Sequence, residues 1–456
     1  MTAFTSNHNL RADKMHRLLS AVIVLCLTAF SAATASEQIP APPQSAPVAL
    51  VGATLHPVSG PAIEGGTILF DKGKIVALGR EVTLPADAVR IDAAGKHVWP
   101  VLIQSISYLG LVETGAVTPT VDSHEIGQVN PNVRAERAIN PDSERFPVTR
   151  ANGVGLAATL PEGGLLAGMG ALIRLDGWTW EQMTVKAPLC LVVEWPDMSG
   201  LSSLADKKEL QKRQAAVAEQ LDTLEEAFRQ ARAYKVAREA AGKAGVPFHA
   251  TDLRWEAMLP VLNREVTVWV FANSLAQIRA AVEWAERVGV RMVLVGGEEA
   301  PLAADLLKSH DIPVIVAPLM RLPARRDAAY DETLTVPEAL RRAGVRFCIA
   351  GGYGEYGNER NLPYHAAMAA AYGLPREEAL KAVTLYAAQI MGVDSLAGSL
   401  EPGKMADIIV TDGDPLEIST QVEKMYLDGR DIDLGSHHKS LYAKYREKYR
   451  QENVGK

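Results

Sequence analysis

The spacing of apolar and polar positions changes several times along this chain, and the changes divide it. Residues 98–110 read Val-Trp-Pro-Val-Leu-Ile-Gln-Ser-Ile-Ser-Tyr-Leu-Gly, an almost unbroken apolar run entered through Pro100 and left through Gly110. Such a run suits a strand buried on both faces, the first of a parallel set. Ahead of it, residues 49–55, 67–71, 74–78 and 88–92 read as short strands, with a hairpin turn at Asp71-Lys72-Gly73-Lys74. Four short strands do not make a large sheet alone, so partners are expected from elsewhere in the chain.

Beyond residue 110 strand-like and helix-like patterns alternate. Strands are expected at 98–104, 155–160, 171–175, 189–194, 266–271, 292–295, 313–317 and 346–350. Helical periodicity marks 275–288, 300–309, 336–343, 362–371 and 376–383, with Gly289 as a C-cap. This alternation predicts an α/β fold, a (β/α)8 TIM-like barrel. Residues 205–241 break the rhythm: they lack proline and glycine, and Val217, Leu221, Leu224, Phe228 and Ala231 recur at steps of four and three. That is a narrow apolar seam on a long helix or helical hairpin, reaching on the order of 55 Å if continuous. Two readings stay open: an insertion packing its seam on the barrel, and a dimerisation arm.

The first 35 residues carry a different pattern. Arg11, Lys14 and Arg17 precede an apolar run at 18–30, and Ala33-Thr34-Ala35 supplies a small-residue cleavage site. That order is expected of a secretory signal peptide, and the run is shorter than the about 20 residues of a membrane span. Residues 36–47, rich in Pro, Ala and Ser, read as a linker. A periplasmic or secreted location is therefore expected, with no membrane association once the leader is cut. Composition is that of a globular protein, 48% hydrophobic and 22% charged, and a net charge of −7 gives no reason to expect nucleic acid. Outside the leader only Cys190 and Cys348 remain, both in apolar runs that favour buried free thiols over a disulfide.

Two stretches resemble a known family. Residues 398–410, Gly-Ser-Leu-Glu-Pro-Gly-Lys-Met-Ala-Asp-Ile-Ile-Val, are similar to the run that leads amidohydrolase-superfamily chains, in particular the imidazolonepropionase-like branch, back into a small β-sandwich. Pro100, Leu102, Ile103 and Gly110 match that branch's first barrel strand, Pro-Gly-Leu-Ile-Asp-x-His-x-His-x-Gly. The resemblance implies a small β-sandwich from 48–97 and 399–434, a barrel over 98–398 with a helical insertion at 201–243, and a helical tail at 435–456. It also implies metal-dependent hydrolysis of non-peptide C–N bonds in cyclic amides, with zinc or another divalent metal as the usual cofactor.

Laid on the family pattern, the metal-binding and proton-shuttle positions carry other residues. The two histidines of the first strand become Ile106 and Tyr108, those of the fifth and sixth become Phe271 and Gly296, and the aspartate of the eighth becomes Gly352. No metal and no other cofactor are expected in the usual place, since Ile, Phe and Gly side chains offer a cation no lone pair. The first expectation is a metal-free, non-catalytic or repurposed member that binds a small molecule. An alternative is an active hydrolase with a rebuilt centre using candidates such as Glu355, Glu298 and His124. A third reading is a scaffold, as a homo-oligomer or as the partner of an intact paralogue.

Overall fold

The computed structural model describes residues 39–198, 207–240, 250–325, 327–352 and 356–452. The expected leader at 1–35 and the candidate Glu355 lie outside them. The alternating N-terminal segment forms β1 (Val48–Leu55), β2 (Ile63–Asp71), β3 (Lys74–Gly79), β4 (Val89–Asp92) and β5 (His97–Pro100). The β2–β3 turn is Lys72-Gly73, with φ of 49° and 75°. Positive φ at both central residues gives the turn whose twist matches paired strands.

The apolar run expected as one barrel strand over 98–104 is split. Its first part is β5, and the barrel strand proper, β6, spans Leu102–Ser107. The break falls at Val101, whose N–H donates to Asp407 O (3.1 Å) while that of Leu102 donates to Gly153 O (2.9 Å). One residue thus hands the chain from one sheet to another, and a hydrophobicity pattern is blind to that hand-over because both sheets bury it.

The barrel continues through β7 (Val154–Thr159), β8 (Leu166–Arg174), β9 (Thr184–Glu194), β10 (Thr267–Ala272), β11 (Met292–Gly296), β12 (Val314–Val316) and β13 (Phe347–Ile349), hydrogen-bonded in chain order. The eight strands are not all parallel, which corrects the expectation of a parallel set. β8 runs antiparallel to both β7 and β9. Only residues 160–165 link β7 to β8, and a parallel crossover needs a dozen or more. Among the described residues, α1 (Arg145–Arg150), α2 (Trp180–Met183), α3 (Lys207–Ala240) and α4 (Leu253–Leu262) precede β10, and α5 (Leu275–Val288) follows it. In the second half, α6 (Ala304–Ser309), α7 (Glu332–Ala343), α8 (Leu362–Ala371), α9 (Arg376–Ala382) and α10 (Leu385–Met391) follow the strands.

Local chemistry sets these helices. α5 opens on a capping box between Ser274 and Gln277 and ends on Gly289 in the left-handed region, as its sequence predicts. α3 is a single helix of 34 residues. Its Leu224, Phe228 and Ala231 are buried, and the Phe228 ring stands edge-on to Trp284 of α5 at 5.2 Å. The seam therefore packs on the chain's own barrel, the first of the two readings.

β14 (Ile408–Thr411), β15 (Val422–Leu427) and β16 (Arg430–Ile432) complete the first sheet. β14 pairs antiparallel with β5, Ile408 opposite Pro100, so the far end of the chain supplies the missing strands. A buried ionic hub ties barrel to sheet: Asp176, just past β8, receives Arg150 and Arg430, each at 2.9 Å. The last described helix is α11 (His437–Gln451), none of whose residues is buried.

Candidate functional site

In barrels of this kind, side chains that act on ligands gather at the C-terminal ends of the strands. Here that end is formed by Ile106 to Tyr108, Thr159, Phe271 to Asn273, Gly296 and Gly351 to Gly352. The two ends of the sheet, β6 and β13, meet through a side chain. Gln104 Nε2 donates to Gly351 O (2.8 Å) and Gln104 Oε1 accepts from Gly351 N–H (3.1 Å). The carboxamide thus acts as a substitute peptide group and closes the barrel. Ser107 Oγ donates to Ala158 O (3.0 Å) and Thr159 Oγ1 to Leu109 O (3.1 Å), so these hydroxyls are spent on backbone.

Ile106 and Tyr108 are buried, the latter with its ring edge-on to Tyr356 at 5.1 Å. Phe271 is buried at the end of β10. Gly296 has φ of 95°, and a Cβ there would come within 2.5 Å of Asn273 Oδ1. The carboxamide of Asn273 fills the space that a side chain at 296 would need.

Around Gly352, with φ of 87°, the arrangement differs. A Cβ there would lie 3.4 Å from both Gln104 Nε2 and Glu359 Cγ, and one at Gly351 would lie 2.9 Å from His365 Nε2. Glu359 stands in a short turn just before α8, and His365 on the first turns of that helix. Glu359 is fully buried, and burial pushes its pKa up against the opposing pull of the backbone N–H groups of Glu359, Gly357 and Tyr108 and of the Arg145 charge. Nearby, Arg145 gives Nε and Nη2 to Glu113 O (3.1 and 2.7 Å) and leaves Nη1 buried without a partner.

The sequence candidates fall elsewhere. Glu298 is paired with Arg321 and accepts from Ala324 N–H (2.9 Å), fastening the loop after β12. Its neighbour Glu299 accepts from Leu275 N–H (2.7 Å) at the start of α5. His124 is exposed and bridges Glu162 through its backbone. Asp252 caps α4, as its position predicts. Cys190 and Cys348 are buried free thiols. Glu359, which the sequence analysis did not single out, carries no motif; the only signal was a carboxylate a few residues beyond the glycines that end β13. Among the described residues, no group of three or more His, Cys, Asp or Glu side chains is placed to share a metal ion. A cavity of about 320 Å³, lined by Arg264, Arg291, His310 and Arg346 among others, opens at the opposite end of the barrel.

The architecture superposes on the solved structure of an amidohydrolase from Thermotoga maritima MSB8 with a TM-score of 0.76 and 26% identity, covering 85% of this chain and 99% of that one. The model of the amidohydrolase family matches residues 279–431, from α5 to β16. An imidazolonepropionase from Symbiobacterium thermophilum is 24% identical over 390 residues, 76% of this chain and 84% of that protein. These likenesses support a place for the chain in the amidohydrolase superfamily. The likeness to the imidazolonepropionase supports the imidazolonepropionase-like branch within it. It also matches the amidohydrolase tasK of Hapsidospora irregularis, 22% identical over 408 residues, which spans 80% of this chain but only 39% of that protein.

Proposed function

We propose that this protein is an exported amidohydrolase-superfamily member that works without the usual metal, binding a small molecule at the C-terminal mouth of its barrel instead of hydrolysing it. One observation carries the reading: the positions at which the family resemblance places metal ligands hold Ile106, Tyr108, Phe271, Gly296 and Gly352. Two hydrocarbon side chains, two bare backbones and one phenol do not fit a divalent cation, which needs several nitrogen, oxygen or thiolate donors. Refilling the site by one substitution is obstructed too, since the Asn273 carboxamide occupies the side-chain space at Gly296. Export rests on the order of charges, apolar run and small residues in the first 35 positions.

The deciding experiment is metal analysis of the purified mature protein, together with turnover of cyclic amides before and after chelation. The expected result is zinc, manganese and iron each well below one per chain and no turnover that a chelator abolishes. Stoichiometric metal with chelator-sensitive hydrolysis would overturn the reading. The leader is tested separately: N-terminal sequencing of the exported protein should begin at Ser36, and retention of the full-length chain in the cytoplasm would refute export.

A further inference from the structure

We propose that the cavity of about 320 Å³ at the N-terminal ends of β10, β11 and β12 is a second binding site, for a small anion that presents a carboxylate or phosphate group. It lies at the far end of the barrel from the mouth, so the inference does not depend on whether the mouth holds a metal. Cations reach the cavity from three separate connections: Arg264 between α4 and β10, Arg291 between α5 and β11, and Arg346 between α7 and β13. Its volume falls at the lower end of small-molecule pockets, about 300–1,000 Å³, which suits a compact ligand.

Two of the three arginines have no acid of their own. Among the described residues the wall carries two acids, and both already have a partner on it. Asp311 Oδ1 lies 2.9 Å from Arg346 Nη2, and Glu286 stands 3.5 Å from His310 Nε2. Arg291 gives Nη1 to the Arg264 carbonyl at 3.4 Å, so these two residues stand side by side. Among the described residues neither forms an ion pair with a carboxylate. Neighbouring like charges repel, and an anion seated between them reverses the sign of that interaction. The guanidinium fork fits the paired oxygens of carboxylate or phosphate. Val282, Val290 and Ile390 supply an apolar wall beside the charges, where less water screens them.

The backbone points to the same residue. Within two positions of their ends, α4, α5, α6 and α7 each meet a residue in the left-handed region: Arg264 (φ 63°), Gly289 (71°), Asp311 (53°) and Gly344 (73°). Glycine adopts that conformation without strain and aspartate more readily than most, but a long side chain gains nothing from it. The dipole of α4 favours a cation at its C-terminal end, yet at an exposed position this is worth less than left-handed backbone costs. Strain kept at 264, where neighbouring helices use glycine, marks a side chain retained for what it binds.

The test uses the mature protein and its Arg264→Gly and Arg291→Ala variants, with sodium phosphate and sodium succinate as probes and sodium chloride at matched ionic strength as reference. Without a probe, Arg264→Gly should melt at or above the parent, because strained backbone has been relieved. Phosphate, succinate or both should raise the parent's melting temperature beyond chloride, and the rise should saturate. Saturation separates a site from the general stabilisation that excluded salts such as phosphate give any protein. Each variant should need at least about tenfold more probe for the same rise, since a charge-assisted contact is lost. A response to phosphate alone assigns the site to phosphate groups, and one to succinate alone to carboxylates. A parent that answers neither probe, a rise that never saturates, or variants that bind as the parent does would each overturn the proposal. Arg264→Gly melting below the parent would make that side chain a structural prop and overturn it as well.

Discussion

The two halves of the barrel are built by different rules. From β10 to β13 every strand is parallel to the last, with α5, α6 and α7 crossing between them. From β6 to β9 one strand is reversed, and its links to either side carry no crossover helix beyond the single turn of α2. The family match begins at residue 279, inside α5, and so covers β11 to β13 and the returning strands, but neither β10 nor the irregular half. Strand direction follows from connection length, whereas closure of the barrel needs only that each strand find a neighbour. The ends of the sheet obey the same economy: the gap between β6 and β13 is bridged by the side chain of Gln104 where no ladder is formed.

The comparison can be broken by substitution. The largest effect is expected from Asp176→Ala at the edge of the irregular half. It strips Arg150 and Arg430 of their buried partner; stability should fall by about 3–5 kcal/mol in urea unfolding. A loss under 1 kcal/mol would mean that the irregular half does not depend on its tie to the small sheet. Next, Phe228→Ala leaves a hole between α3 and Trp284 in α5, with an expected cost of about 3 kcal/mol. If α3 were dispensable to the barrel, its amides would exchange freely in the parent and the substitution would be silent.

A smaller loss, about 2–3 kcal/mol, is expected of Gln104→Leu, because Gly351 N–H and C=O are then buried unpaired. Hydrogen exchange should quicken at β6 and β13 and not at β10; uniform quickening would show that the bridge is no local closure. The smallest effect belongs to the regular half. In α7, Arg341 and Arg342 hold the Glu338 carboxylate down to about pKa 2. A depressed carboxylate stabilises fully above its unfolded pKa and ceases to do so as pH falls through the folded one. Glu338→Gln should therefore lower stability by about 1 kcal/mol at pH 7, with the difference from the parent vanishing between pH 4.5 and about pH 2. A gap that persists at pH 2 would trace the effect to packing instead of charge.

Much of the fold was legible beforehand, and particular residues show why. The runs at 266–271 and 292–295 became β10 and β11 nearly to the residue, since buried strands need continuous apolar character and the helices between them an apolar stripe. The hairpin at Lys72-Gly73 was legible because positive φ favours few residues. The site was less legible. Glu298 looked available and is paired to Arg321; Glu359 looked like any loop carboxylate and is fully buried.

By itself the sequence determined which stretches are strands or helices, that both chain ends share one sheet, and which residues stand at the positions the family resemblance marks. These follow from local preference, from composition and from matched motifs, all of which a linear string records. Only the tertiary structure decided that 98–104 divides between two sheets, that β8 runs backwards, that Asn273 fills the space beside Gly296, and that Glu359 lies against Gly352. Those facts depend on which backbone groups find partners across space and which are left without them. Hydrogen-bond satisfaction is a property of the packed molecule, and no order of residues along the chain states it in advance.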